Sequence, residues 1–174
     1  KTGKGPVSVG WVDVNKGGEG AMEVRCRLVA RDFKGKDSGR DDLLAATPPL
    51  EAKRMLLSRA TTSTVGSPRK LLFIDAKKAH LNPRCEQDVF VELPEEAGCG
   101  PGICGKLNYW LYGFRPAAAA WEKLYSGKLV GCGFEKGHLW SGVLSQRDLS
   151  CVAHGNDFPF CGGQEHLTRI TEQM

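Results

Sequence analysis

Four consecutive apolar residues, Leu71, Leu72, Phe73 and Ile74, run straight into Asp75, and a basic segment with Lys77, Lys78 and His80 follows. An apolar run of this length predicts a short strand buried on both faces. A carboxylate at its end is costly to bury unless it meets a cation or a hydrogen-bond donor, and is unremarkable if water reaches it. A second pattern, S-C-V-A-H-G-N-D-F-P-F-C-G over residues 150–162, sets tight-turn residues between two short apolar runs and predicts a β-hairpin. Its tip carries Asn156 and Asp157. Two strands delivering Asp75 and Asp157 to one point would form a site for a hard divalent cation, which prefers carboxylate oxygen.

The rest of the pattern supplies the scaffold. Residues 1–6 are a Gly/Lys-rich lead-in, and residues 7–14 and 22–30 are β-rich runs around N-K-G-G-E-G, a hairpin signal. Arg25, Arg27 and Arg31 alternate along the second run, so period two puts them on one face. Such a row suits phosphate oxygens, because a planar guanidinium donates in pairs, and it is equally the solvated face of a strand. Residues 34–42 and 61–68 read as connections. Between them Thr47-Pro48-Pro49 marks a helix start with Thr47 as cap, and Ala52, Met55, Leu56 and Ala60 form one stripe of that helix. Residues 88–94 alternate as a strand, and residues 95–105 form a Gly/Cys/Pro loop. A helix after Pro116 carries Ala117, Trp121, Leu124 and Lys128 on one side and ends at Gly131-Cys132-Gly133. Strands at 138–144 and 149–153 follow, then a last helix opened by Gly162-Gly163 with Leu167, Ile170 and Met174 inward. This order predicts an α+β fold, an antiparallel sheet packed on helices.

Composition narrows the picture modestly. The chain has 174 residues, 41% hydrophobic and 25% charged, with a net charge of +4 that permits nucleic-acid contact without requiring it. No apolar run approaches the ~18 residues of a membrane span. Seven cysteines, an odd number without compact pairing, read as reduced thiols of an intracellular compartment. Cys85, Cys99 and Cys104 lack the tight paired spacing of a zinc knuckle. The first residue is Lys1 rather than Met, which is compatible with a leader removed or left out, and localisation stays open.

Five blocks in order make a more specific pattern: R-C-R-L-V-A-R-D-F (25–33), I-D-A-K-K-A-H-L-N (74–82), D-V-F-V-E-L-P (88–94), K-L-N-Y-W-L-Y-G-F-R-P-A-A-A-A-W (106–121) and H-G-N-D (154–157). Together they resemble the reverse transcriptase region of copia-type retrotransposons. That family reads K-A-R-L-V-A-R-G-F, V-D-V-K-T-A-F-L-N, E-V-Y-M-x-Q-P, K-L-x-K-A-L-Y-G-L-K-Q-A-P-R-A-W and Y-V-D-D at these places.

The resemblance implies one reverse-transcriptase-like domain over residues 1–174, with a fingers β-hairpin region over about 7–70 and a palm over about 71–174. Thumb, ribonuclease H and integrase are expected to be absent. It implies two-metal nucleotidyl transfer with Mg²⁺, Asp75 and Asp157 as metal ligands and catalytic groups, and template–primer and a deoxynucleotide as partners. The fingers arginines Arg25, Arg27 and Arg31, the palm positions Ala79 and His80, and Arg115 fall to substrate binding. Three departures stand out: Asn156 replaces the first hairpin aspartate, His80 replaces a bulky aromatic under the nucleotide sugar, and Pro116 replaces a glutamine. One missing charge beside metal ions costs a few kcal/mol even at an effective dielectric of ~20. At ~1.4 kcal/mol per tenfold, the resemblance implies an RNA-directed DNA polymerase that is impaired or inactive, its Mg²⁺ site weak or empty.

The alternative is a non-catalytic structural or interaction subunit of a larger assembly, docking other proteins through a face that includes several of Trp110, Tyr112, Phe114, Phe158 and Phe160, with about half of these expected in the core. A third reading, nucleic-acid binding without catalysis, rests on the arginine face.

Overall fold

The computed structural model describes residues 5–17, 20–32, 47–62, 68–140 and 142–174. The expected loop at 34–42, the start of the lead-in and most of the connection before residue 68 lie outside these. Helices and antiparallel sheets are arranged in two compact units, Lys1–Leu44 with His80–Ala120 and Ala45–Ala79 with Trp121–Met174. The fold is α+β.

In the first unit, β1 (Val9–Asn15) and β2 (Val24–Ala30) pair antiparallel, with Val9 opposite Ala30 and Asn15 opposite Val24. The Asn15 carboxamide oxygen accepts the N–H groups of Gly17 and Glu23 at 3.0 and 3.1 Å, the local bonding that makes asparagine a turn residue. A short pair, β4 (Phe90–Glu92) and β5 (Cys104–Lys106), is joined by Val7, which bridges to Val91. The core here is Ala30, Cys85, Val91, Trp110, Phe114 and Ala117. The backbone closes over it at Gly113, whose φ of +87° and position 2.1 Å from the Ala30 carbonyl oxygen (measured to a would-be Cβ) admit only glycine.

In the second unit β3 (Lys70–Asp75), β6 (Glu135–Lys136), β7 (Val143–Gln146), β8 (Leu149–Val152) and β9 (Asp157–Gly162) form one antiparallel sheet in the order β3-β9-β8-β7-β6. Register aligns Leu72, Phe160, Cys151 and Leu144 in a row across four strands. That row faces the larger core, with Trp121, Tyr125 and Leu129 of α2 (Pro116–Gly131) and Leu167 and Ile170 of α3 (Gln164–Gln173). The opposite face buries Val152 and Cys161 against Ala52 and Leu56 of α1 (Leu50–Thr61). Helices therefore cover both faces of this sheet.

Several expectations are corrected. β3 is an edge strand, and only alternate residues point inward: Leu72 and Ile74 pack on the core, whereas Leu71 is exposed and Phe73 is 67% exposed. Pro49, not Thr47, stands at the α1 cap position, and Met55 is exposed because the buried stripe there repeats at i and i+4. On α2 the same spacing selects Trp121, Tyr125 and Leu129, leaving Leu124 and Lys128 outside. Of the strand expected at 138–144 only Val143 and Leu144 are strand, the first two residues of β7; residues 138–140 are exposed and outside any strand, and Gly137 N–H donates to Val143 O at 2.7 Å.

Of the five aromatics named for a docking face, four are core, more than the half expected. Trp110 and Phe114 fill the first core, Phe158 and Phe160 alternate inward on β9, and Tyr112 is half-buried. No described helix is long and apolar enough to cross a membrane.

Phe160 is fully buried at the middle of the four-strand row. Phe160→Ala is expected to destabilise the chain by about 3–5 kcal/mol. Leu139→Ala, at a position 81% exposed, should stay within about 0.5 kcal/mol. Urea denaturation followed by circular dichroism measures both; equal effects would contradict this core.

Candidate active site

The hairpin tip between β8 and β9 closes through two backbone hydrogen bonds. His154 N–H donates to Asp157 O at 2.9 Å, and Asp157 N–H donates to His154 O at 3.1 Å. Gly155 has φ +65° while Asn156 does not enter the left-handed region. Glycine at the first of two central positions is the type II′ arrangement, whose twist matches the flanking strands. From the core side, Trp121 donates its indole N–H to Gly155 O at 2.7 Å and pins the turn.

Pairing of β3 with β9 then sets the chemistry. Asp75 lies directly opposite Asp157, and Ala76 N–H donates to Asn156 O at 2.8 Å just beyond the pair. Opposed residues of an antiparallel ladder share a face, with Cβ atoms about 5 Å apart. Alternation puts both aspartates on the side of Leu71, Phe73 and Cys161, away from the large core. Asp75, Asn156 and Asp157 are all exposed. Like charges so placed repel, and the Asn156 side-chain amide Nδ2 donates to Asp75 Oδ1.

In the first unit, a different group of residues converges on Tyr112. The Arg27 guanidinium stands over the Tyr112 ring, 5.7 Å from its centroid, and the His80 ring approaches the same ring at 5.7 Å with a 53° tilt. Partial burial pushes the His80 pKa below its usual value by desolvating the cation. Arg25 is exposed on the Arg27 face of β2, and Arg31 lies just past the strand end, its N–H bonded to Ser8 O at 2.9 Å and its guanidinium against Gly10. Arg115 is half-buried, with its backbone N–H donating to the Asp32 carboxylate at 3.2 Å. Ala79 is buried in the core of the second unit. Tyr112, on which these contacts centre, belongs to the L-Y-G of the fourth block, a local sequence that does not show which residues gather round it.

Residues 1–152, most of the chain, match the family described as reverse transcriptase (RNA-dependent DNA polymerase). The chain belongs to this reverse transcriptase family. No solved structure matches it. The family match ends with β8, before the tip at 154–157 of this reverse transcriptase family member.

Members of the family use Mg²⁺, but the donors here do not fit a two-metal centre. Among the described residues there is no group of three or more His, Cys, Asp or Glu able to hold a metal ion. At the pair itself, one Asp75 oxygen already accepts an N–H.

The His80 shift carries a sign. A histidine whose folded pKa is lowered resists protonation in the folded state, so stability is level above the unfolded value of 6.5 and falls as pH drops below it. His80→Phe should remove this part of the acid sensitivity. Thermal unfolding at neutral and mildly acidic pH measures it: the melting-temperature drop on acidification is expected to be smaller in the variant, and an equal drop in both would count against the assignment.

Proposed function

We propose that the chain is a copia-type reverse transcriptase fingers and palm region whose polymerase activity is impaired. Reverse-transcriptase ancestry is shown by the family match, and five blocks in the copia order support the finer assignment. In this reading the five-stranded sheet of the second unit corresponds to the palm and the β1–β2 hairpin to the fingers. Asp75 and Asp157 keep the positions of two catalytic carboxylates. Arg25, Arg27, Arg31 and Arg115 would meet phosphates or template, and His80 with Tyr112 the sugar of an incoming nucleotide.

The observation that carries the impairment is at Asn156. It stands where the family has a metal-binding aspartate, and its amide donates to Asp75 instead of offering a third carboxylate. Pro116 supports the same reading, because it has neither a side-chain donor nor a backbone N–H to replace the family's glutamine. The alternative of a protein-docking subunit lost its specific support when four of its five aromatics proved to be core.

Primer extension on an RNA template, with Mg²⁺ and deoxynucleotides, tests the proposal. Little or no product is expected from the chain, at least ~10³-fold below a family member with the full aspartate set, matching a few kcal/mol of lost transition-state stabilisation. Extension at a comparable rate would refute the impairment.

A further inference from the structure

We propose that Asn156 acts as a built-in substitute for the cation at this turn: its amide takes up Asp75 Oδ1 and leaves the carboxylate pair indifferent to divalent metal. This rests on the palm reading above and goes further, because it concerns what holds the tip together and not only what chemistry is missing.

The argument begins with register. Asp75 and Asp157 are direct cross-strand partners, so the ladder itself forces two like charges together. A fold with such a pair needs a cation, a donor or water to offset the repulsion. Here the donor belongs to the chain: Asn156 Nδ2 to Asp75 Oδ1. The amide is held in place by its backbone, since Asn156 O accepts from Ala76 N–H, the turn is closed by the His154 and Asp157 bonds, and Trp121 fixes Gly155. An ion would have to displace this N–H and would then find two carboxylates without a third acidic neighbour among the described residues.

Asparagine is therefore more than a missing charge. It reverses the local polarity at Asp75, from an acceptor that repels to a donor that attracts. Asn156→Asp should undo both effects together, leaving the tip strained by three carboxylates unless a divalent ion joins them.

Thermal unfolding of the chain and of Asn156→Asp, each with chelator and with excess Mg²⁺, reads this directly. The chain should melt at the same temperature in both buffers within ~1 °C. The variant should melt lower in chelator and gain about 3 °C or more with Mg²⁺, the shift expected of a bound ion that stabilises only the folded state. Stabilisation of the unmodified chain by Mg²⁺ equal to that of the variant would overturn the proposal.

If the variant does not fold, water relaxation with Mn²⁺ on the unmodified chain and on Asp157→Asn decides. Indistinguishable enhancements support the proposal, and an enhancement lost in Asp157→Asn overturns it. Primer extension on the same samples separates the two readings: metal binding without extension sinks only this inference, whereas binding with extension sinks the proposed impairment as well.

Discussion

Antiparallel pairing of β3 with β9 joins two segments far apart in the chain, six register pairs running from Lys70 opposite Gly162 to Asp75 opposite Asp157. Bringing such distant segments together costs loop entropy, which grows only slowly with length. The compensation lies on one face of the pair, where Leu72 and Ile74 meet Phe160 and Phe158 over the core of α2 and α3. Because side chains alternate, a slip of β3 by one residue would turn Leu72 and Ile74 outward and carry Asp75 to the core face. Packing of these inward residues thus fixes where the two aspartates meet. The geometry of the candidate site is a by-product of the hydrophobic register.

This explains which parts were legible in the sequence. The tip at 154–157 could be read because H-G-N-D between apolar runs is strong turn chemistry, and Gly155 adopts the positive φ that such a turn requires. The pairing of Asp75 with Asp157 was legible from two strand-end positions together with the family resemblance. The exposure of Leu71 and Phe73 did not follow, because four apolar residues in a row carry no record of whether a neighbouring strand lies on each side. On α2, Leu124 and Tyr125 are both apolar enough to face inward; what selects Tyr125 is its edge contact with Phe158 at 5.2 Å, a tertiary fact. Which of the aromatics at 110–114 fill the core was not legible for the same reason, since an aromatic cluster in sequence looks alike whether it lines a surface or fills a core. The grouping of Arg27 and His80 around Tyr112 joins residues from three separate blocks and has no local signature.

The same division between register and site lets the five-stranded sheet keep its form whatever residues stand at its tip. Asp75, Asn156 and Asp157 are exposed, so a change among them leaves the buried row of Leu72, Phe160, Cys151 and Leu144 untouched. Surface substitutions away from caps and special backbone positions typically alter stability by less than ~0.5 kcal/mol. Asn156 suits this place better than a third carboxylate would, since its amide is a donor to Asp75.

Stability and catalysis therefore pull in opposite directions at this turn. Three carboxylates at one point are useful only when cations bind them, and in the absence of cations they repel. An aspartate-to-asparagine change removes part of that repulsion while keeping the volume and backbone preferences of the residue, including its tolerance of tight turns. Where polymerase chemistry is no longer required, folding alone would favour such a residue. The arginines of β2 carry no comparable conflict, because Arg25 and Arg31 are exposed and Arg27 already rests on the Tyr112 ring.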